Sequence, residues 1–194
     1  KGDIYKGNYK GLYCEGCEAF YTEKDLINGK CPEHNKEPKI LKEESYFFKM
    51  SKYDKKIIEL LSKKDFVYPE KYRNEMLMRV NKEGLKDLSV SRLNLDWGIP
   101  VPFDKNATVY VWFDALLNYI SGVDYPNAKF KKYWPADIHL VGKGINWFHS
   151  VIWPSMLMSA GIELPKQIVV HGYVNLKGSK MSKSLGTVVD PFEI

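Results

Sequence analysis

The chain has 194 residues and a formal net charge of +5, from 29 lysines and arginines against 24 aspartates and glutamates. That length suits one domain or a domain plus a small module, and the apolar share of 44% supports a real core. The mild positive charge favours an anionic partner such as nucleic acid or phosphate, although a solvated lysine surface accounts for it as well. No apolar run approaches the roughly 20 residues of a membrane helix, and KGDIYKGNYKG lacks a signal-peptide core, so a cytoplasmic protein without membrane association is expected.

The three cysteines cluster in CEGCEAFYTEKDLINGKCPEH as C-x2-C, thirteen intervening residues, then C-x2-H: Cys14, Cys17, Cys31 and His34. An odd count argues against paired disulfides. Two tight turns, each offering two sulfur or nitrogen ligands, are a compact way to hold zinc tetrahedrally, and Gly16 and Pro32 suit such turns. Four protein ligands leave no open position, so the expected ion is structural Zn2+, in a knuckle over about residues 10–37.

From Glu43 to Gly84 the chain reads as helical. Ser51 and Asp54 form a capping-box pattern, and Ile57, Ile58, Leu60 and Leu61 follow at helical spacing. Pro69 and Gly84 bracket a second helix, in which Met76 and Met78 are expected to pack.

Beyond Ala107 the pattern changes to TVYVW, FDALLNYISG, DIHLVG, INWFHSVIWPSMLMSAG and QIVVHG. This reads as β-α-β-α-β and predicts a parallel sheet with right-handed crossovers. Ligands bind beyond the carboxyl ends of such strands, so Trp112, the turn from Gly142 to Ile145, and His171 with Gly172 should face one crevice. Ile145, Phe148, His149, Ile152, Trp153 and Met156 make one stripe on the middle helix. As a general rule such a stripe is core; as a pocket wall, with Trp112 and Tyr119, it suits a thioether. Pro154 is expected to bend this helix.

YVNLKGSKMSKSLGTVV then reads as a short strand, a polar loop between Gly178 and Gly186, and another β-branched run. Lys180 and Lys183, with Ser182 and Ser184, are placed to close over a polyphosphate at the sheet's ligand edge. KMSK also occurs at Lys49–Lys52, where it reads as the start of a helix. The chain opens on Lys1 without a methionine and stops at DPFEI, where Asp190 and Pro191 should begin a helix, so it reads as a fragment.

The stretches YKGLYCEGCEAFYTEKDL, YFFKMSKY, SRLNLDWGIPVP, VYVWFDALLNYIS, FHSVIWPSMLMSAGIELPKQIVVHGYV and GSKMSKSLG, in this order, resemble the central part of the methionyl-tRNA synthetase family of class I aminoacyl-tRNA synthetases. The resemblance implies an α/β fold, the second half of a Rossmann-like sheet preceded by a zinc-knuckle connective domain. It divides the chain into a connective domain (1–103), a half-fold (104–174) and the signature loop with the start of a helical region (175–194). It further implies ATP-dependent activation of methionine to methionyl-adenylate, with Mg2+, and transfer to tRNA(Met).

By position in the motifs, Trp112, Ala115, Leu116, Tyr119, Ile145, Phe148, His149 and Trp153 match the family's methionine pocket. Lys183, assisted by Lys180, matches the lysines that stabilise the triphosphate. Gly142, Lys143, Gly144, His171, Gly172 and Val174 match the ATP site. The family turn is usually G-K-D-I, and Gly144 replaces its acidic residue, which weakens the expected hold on the nucleotide. Leu116 stands where proline is common and Leu185 where a basic residue is frequent. The family's first half-fold and its helical anticodon-binding domain lie outside this sequence, so the chain alone is expected to be inactive and to need its N-terminal half. The competing reading is a noncatalytic zinc module that docks tRNA or protein; a generic zinc-ribbon regulator leaves the last ninety or so residues without a role.

Overall fold

The structure, a computed structural model, describes residues 2–15, 19–21, 23–32, 35–93, 95, 97–176, 179–181 and 192. Its contacts form two compact units, one of Lys1–Lys49 and Lys86–Tyr119, the other of Met50–Leu85 and Ile120–Ile194.

The first unit is built on a long antiparallel ladder. Strands Ile4–Cys14 and Lys39–Phe48 pair from Ile4 opposite Phe48 to Tyr13 opposite Lys39, with Ala19–Tyr21 on one flank and Leu88–Ser89 on the other. The helical reading therefore fails between Glu43 and Phe48, because cross-strand partners override local propensity. Tyr5 stacks on Phe47 at 5.6 Å, Lys6 pairs with Glu44 at 2.8 Å, and the Phe47 ring lies over Gly7, where an added Cβ would come within 3.2 Å.

A second antiparallel sheet orders Ser91–Leu93, Asp104–Val109 and Pro100–Val101. Here TVYVW departs from expectation. Thr108 and Val109 end an antiparallel strand of this sheet, and Val111 already begins a short helix, Val111–Ala115. β-Branched content marks a strand but not its partner, and the nearby segment Pro100–Val101 supplies an antiparallel one. The expected single helix after it is two, Val111–Ala115 and Asn118–Ser121.

The second unit holds the parallel sheet, ordered Val67–Tyr68, Gln167–His171, Ile138–Gly142. The two longer strands are those predicted, whereas Val67–Tyr68 takes the place that TVYVW was expected to fill. Alternation gives the sheet two unlike faces. His139, Val141, Ile168 and Val170 are buried on one, while Tyr68, Ile138 and Leu140 on the other are 59%, 56% and 69% exposed.

The KMSK at Lys49–Lys52 enters a 3-10 turn, Met50–Tyr53, and helix Asp54–Ser62 follows. The Asp54 carboxylate accepts the backbone N–H of Leu85 at 2.8 Å. Helix Glu70–Glu83 starts after Pro69 and closes on Gly84 at φ +64°, as the proline-in, glycine-out pattern predicts. Met76 packs as expected, but Met78 is 67% exposed, because it lies on the solvent side of a helix whose buried face carries Arg73, Met76 and Val80.

The middle helix is a π turn, Phe148–Ile152, continued by α-helix Trp153–Ala160. Pro154 has no N–H to offer the carbonyl four residues back, and the widened turn stands beside that gap, where an α-helix would be kinked. Gly161 at φ +76° ends the helix.

Candidate active site

Gly142 and His171 are register partners at the carboxyl ends of adjacent parallel strands. The turn Lys143–Ile145 leaves one strand and the segment His171–Val174 leaves the other, so the predicted ligand turn and the predicted His171–Gly172 pair do share one edge. The His171 Nδ1–H donates to the Gly172 carbonyl at 2.6 Å, and the histidine stays exposed.

A polar cavity of about 490 Å3 opens at this edge, lined by Lys71, Tyr72, Glu75, Lys143 and Tyr173. The Lys143 ammonium lies 4.7 Å from the Tyr173 ring centre, and Lys71 lies at the same distance over Tyr72. The Tyr173 hydroxyl fills the space a side chain on Gly144 would need: an ideal Cβ would stand 2.8 Å from that oxygen.

Of these residues only Lys143 was expected in a site. Lys71, Tyr72 and Glu75 belong to the start of a helix, and nothing in its amphipathic pattern says that its first turn reaches the sheet edge. The short parallel strand Val67–Tyr68 delivers the helix start to that edge, and a polar ladder pins it there. Asn146 Nδ2–H donates to the Tyr72 carbonyl at 3.2 Å, and the Ser150 hydroxyl donates to Asn146 Oδ1 at 2.6 Å.

The second unit also gathers four of the predicted methionine-pocket residues, Ile145, Phe148, His149 and Trp153, on the turn and helix that follow strand Ile138–Gly142. His149 and Trp153 are buried, and Ile145 and Phe148 are half-buried. His149 Nδ1 is 3.0 Å from the Ile145 carbonyl, which can only accept, so Nδ1 carries the proton. Burial lowers the His149 pKa; that of His139, behind it, falls to about 4 through burial and then the charge of His149.

The other four, Trp112, Ala115, Leu116 and Tyr119, fall in the first unit. There Trp112 is 41% exposed, Leu116 is buried, the Ala115 carbonyl accepts Asn118 Nδ2–H at 2.6 Å, and burial raises the Tyr119 pKa. Trp112 follows an antiparallel strand, not one of the parallel sheet, so the strand-end argument does not carry it to the Gly142 edge.

Lys180 lies in the hairpin of Asn175–Leu176 with Ser179–Lys180, directly opposite Asn175, and Val174 before it is exposed. Its strand placement differs from the loop expected there. Lys183, Ser182 and Ser184 fall outside the described residues, as do Cys17, His34, Asp190 and Pro191. Cys14 and Cys31 are buried and neither is in a disulfide. Among the described residues no group of three or more His, Cys, Asp or Glu could hold a metal, and no helix is long and apolar enough to cross a membrane.

Comparison with known proteins places this parallel sheet in a class I synthetase fold. Residues 5–194 match the family model described as tRNA synthetases class I (M), and the chain belongs to that family. It is 52% identical over 198 residues to a methionine–tRNA ligase of Caldanaerobacter subterraneus subsp. tengcongensis, covering 100% of this chain and 31% of the relative. It is 49% identical over 197 residues to that of Thermotoga maritima, covering 98% and 31%. Mycobacterium tuberculosis methionyl-tRNA synthetase bound by methionyl-adenylate superposes with a TM-score of 0.85 at 44% identity, over 99% of this chain and 39% of that one. The chain thus spans about a third of the length of the curated relatives it matches.

Proposed function

We propose that this protein is a methionine–tRNA ligase segment, which activates methionine with ATP to methionyl-adenylate, releasing pyrophosphate, and passes the methionyl group to tRNA(Met) when joined to an N-terminal half-fold. The observation that carries this reading is the pairing of Gly142 with His171 at one sheet edge, followed in each case by a turn named by the family resemblance. Lys180 and Lys183 stabilise the triphosphate as the methionine carboxylate attacks the α-phosphorus, which is chiefly positioning and charge stabilisation. His149, Phe148, Ile145 and Trp153, with Trp112, Ala115, Leu116 and Tyr119, hold the methionine. Gly142, Lys143, Gly144, His171, Gly172 and Val174 hold the nucleotide, with Mg2+ on its phosphates.

The open sheet face of Tyr68, Ile138 and Leu140 supports the need for a second half-fold, since apolar side chains so exposed on both outer strands of one sheet call for a cover. The same reading divides the chain into a connective domain to residue 103, a half-fold to 174 and the loop region beyond. It assigns structural Zn2+ to Cys14, Cys17, Cys31 and His34. Buried, unoxidised Cys14 at a strand end and Cys31 in the turn closed by its N–H on the Lys36 carbonyl suit zinc thiolate ligands.

The test is ATP–pyrophosphate exchange dependent on methionine. The chain alone should give none, and addition of the N-terminal half of a close relative should restore it. Robust exchange by the chain alone defeats the two-part reading; none after a stable complex forms defeats the ligase reading.

A further inference from the structure

His139 has no part in the site described so far, yet it occupies an unusual niche. It is the second residue of strand Ile138–Gly142, and alternation turns it to the covered face of the sheet, where it is 6% exposed. An apolar residue would fill such a position more simply, since imidazole pays a desolvation penalty there. Its ring centre is 6.2 Å from that of His149, with the planes at 54°, and 6.0 Å from Trp134. Trp134 in turn meets Trp153 edge to face at 6.1 Å. Two indoles and two imidazoles thus form one buried aromatic cluster under the parallel sheet.

His149 is the member with a choice to make. It sits at the start of the π turn, with Nδ1 3.0 Å from the Ile145 carbonyl four residues back. A neutral imidazole that donates from Nδ1 has an acceptor at Nε2, whereas a ring turned about χ2, or the other tautomer, loses the carbonyl bond. The Ile145 bond selects the first state only if the ring is held in that plane. His139 stands against it.

We propose that His139 is a positioning residue, whose ring walls His149 into the orientation where Nδ1–H meets the Ile145 carbonyl and Nε2 is left as an acceptor for an O–H or N–H group. That a ligand supplies this donor rests on the methionine-pocket reading; the orientation itself does not. Among the contacts described, Trp134 lies against His139, the Ile145 carbonyl against His149, and His149 is a titratable group that bears on His139.

The experiment is two-bond 1H–15N spectroscopy of the histidine side chains in the uniformly labelled chain at pH 7. The wild-type His149 should show the neutral Nδ1–H pattern. His139→Val suits a strand but withdraws the wall, and should move the His149 tautomer ratio by about tenfold, the worth of one ordinary hydrogen bond. His139→Phe keeps a flat ring without nitrogens and should restore the wild-type pattern. An Nε2–H wild type, an unmoved ratio in His139→Val, or failure of His139→Phe to hold the pattern each overturns the proposal. The wild-type and Phe arms decide it if the Val variant does not fold. Methionine added to the completed enzyme should shift His149 Nε2; no shift there would defeat the pocket reading and leave the tautomer result standing.

Discussion

Gly144 and Tyr173 share one volume at the carboxyl edge of the parallel sheet. An ideal Cβ on Gly144 would lie 2.8 Å from the tyrosine hydroxyl and 3.5 Å from Cε1, so the two positions are coupled. Gly144→Ala should push the 43%-exposed Tyr173 aside and loosen its contact with Lys143, a loss of about 0.5–1 kcal/mol at such a site. In a Tyr173→Ala background the same change should be neutral. Urea unfolding of the four proteins measures the coupling, and additive effects would remove it.

Stability should fall on mild acidification. The folded pKa of His139 lies at about 4, lowered by burial and then by His149, so the unfolded chain takes up its proton first. That stabilisation is present above the unfolded value and is lost as pH drops from roughly 6.5 toward 4, on the order of 3 kcal/mol in all. Lowered His149 acts in the same direction. Unfolding midpoints measured across this range should shift less in His139→Phe; equal shifts in both proteins would contradict the assignment.

Asn146 is 1% exposed and joins the Tyr72 carbonyl to the Ser150 hydroxyl. Asn146→Ala strands the buried Ser150 hydroxyl and removes the tie to the Tyr72 carbonyl, and should destabilise by about 1–3 kcal/mol. Asn146→Leu combined with Ser150→Ala leaves fewer polar groups unmet and should be milder. The order of the two denaturation midpoints decides it.

Chelation should release about one zinc per chain, the content a single closed four-ligand site implies, and unfold the knuckle while the parallel-sheet unit survives. Elemental analysis of the purified chain comes first, and absence of metal would end this expectation.

Lys183→Ala in the completed enzyme should abolish adenylate formation with the fold unchanged, lowering kcat far more than it raises the methionine KM. A variant with normal turnover would return the lysine loop to the status of plain surface.

What could be read from the residues alone followed local signals. Pro69 and Gly84 bound a helix whose chemistry is contained in its own ends, and Ile138–Gly142 and Gln167–His171 are apolar runs long enough to show themselves. Glu43–Phe48 reads as helix because the strand identity of Lys39–Phe48 depends on Ile4–Cys14, far away along the chain. Val67–Tyr68 is too short to carry a period, so TVYVW reads as the third parallel strand instead. Of the candidate site, the turn at Gly142, His171 and the His149 helix are legible as strand ends and an aromatic stripe. Lys71, Tyr72 and Glu75 are not, since the strand that delivers their helix to the edge, Val67–Tyr68, is two residues long, and the Asn146 ladder that pins it joins elements far apart in the chain. Tyr173 had a faint signal, a glycine at 144 where the turn would tolerate a side chain but for the tyrosine.

The bare side of the three-stranded sheet governs how this polypeptide behaves when newly made. Tyr68 on one outer strand and Ile138 and Leu140 on the other make this a greasy platform. Produced in isolation, the chain should be a chaperone client and clump when refolded at high concentration, and co-expression with a companion that caps the platform should raise its recovered yield.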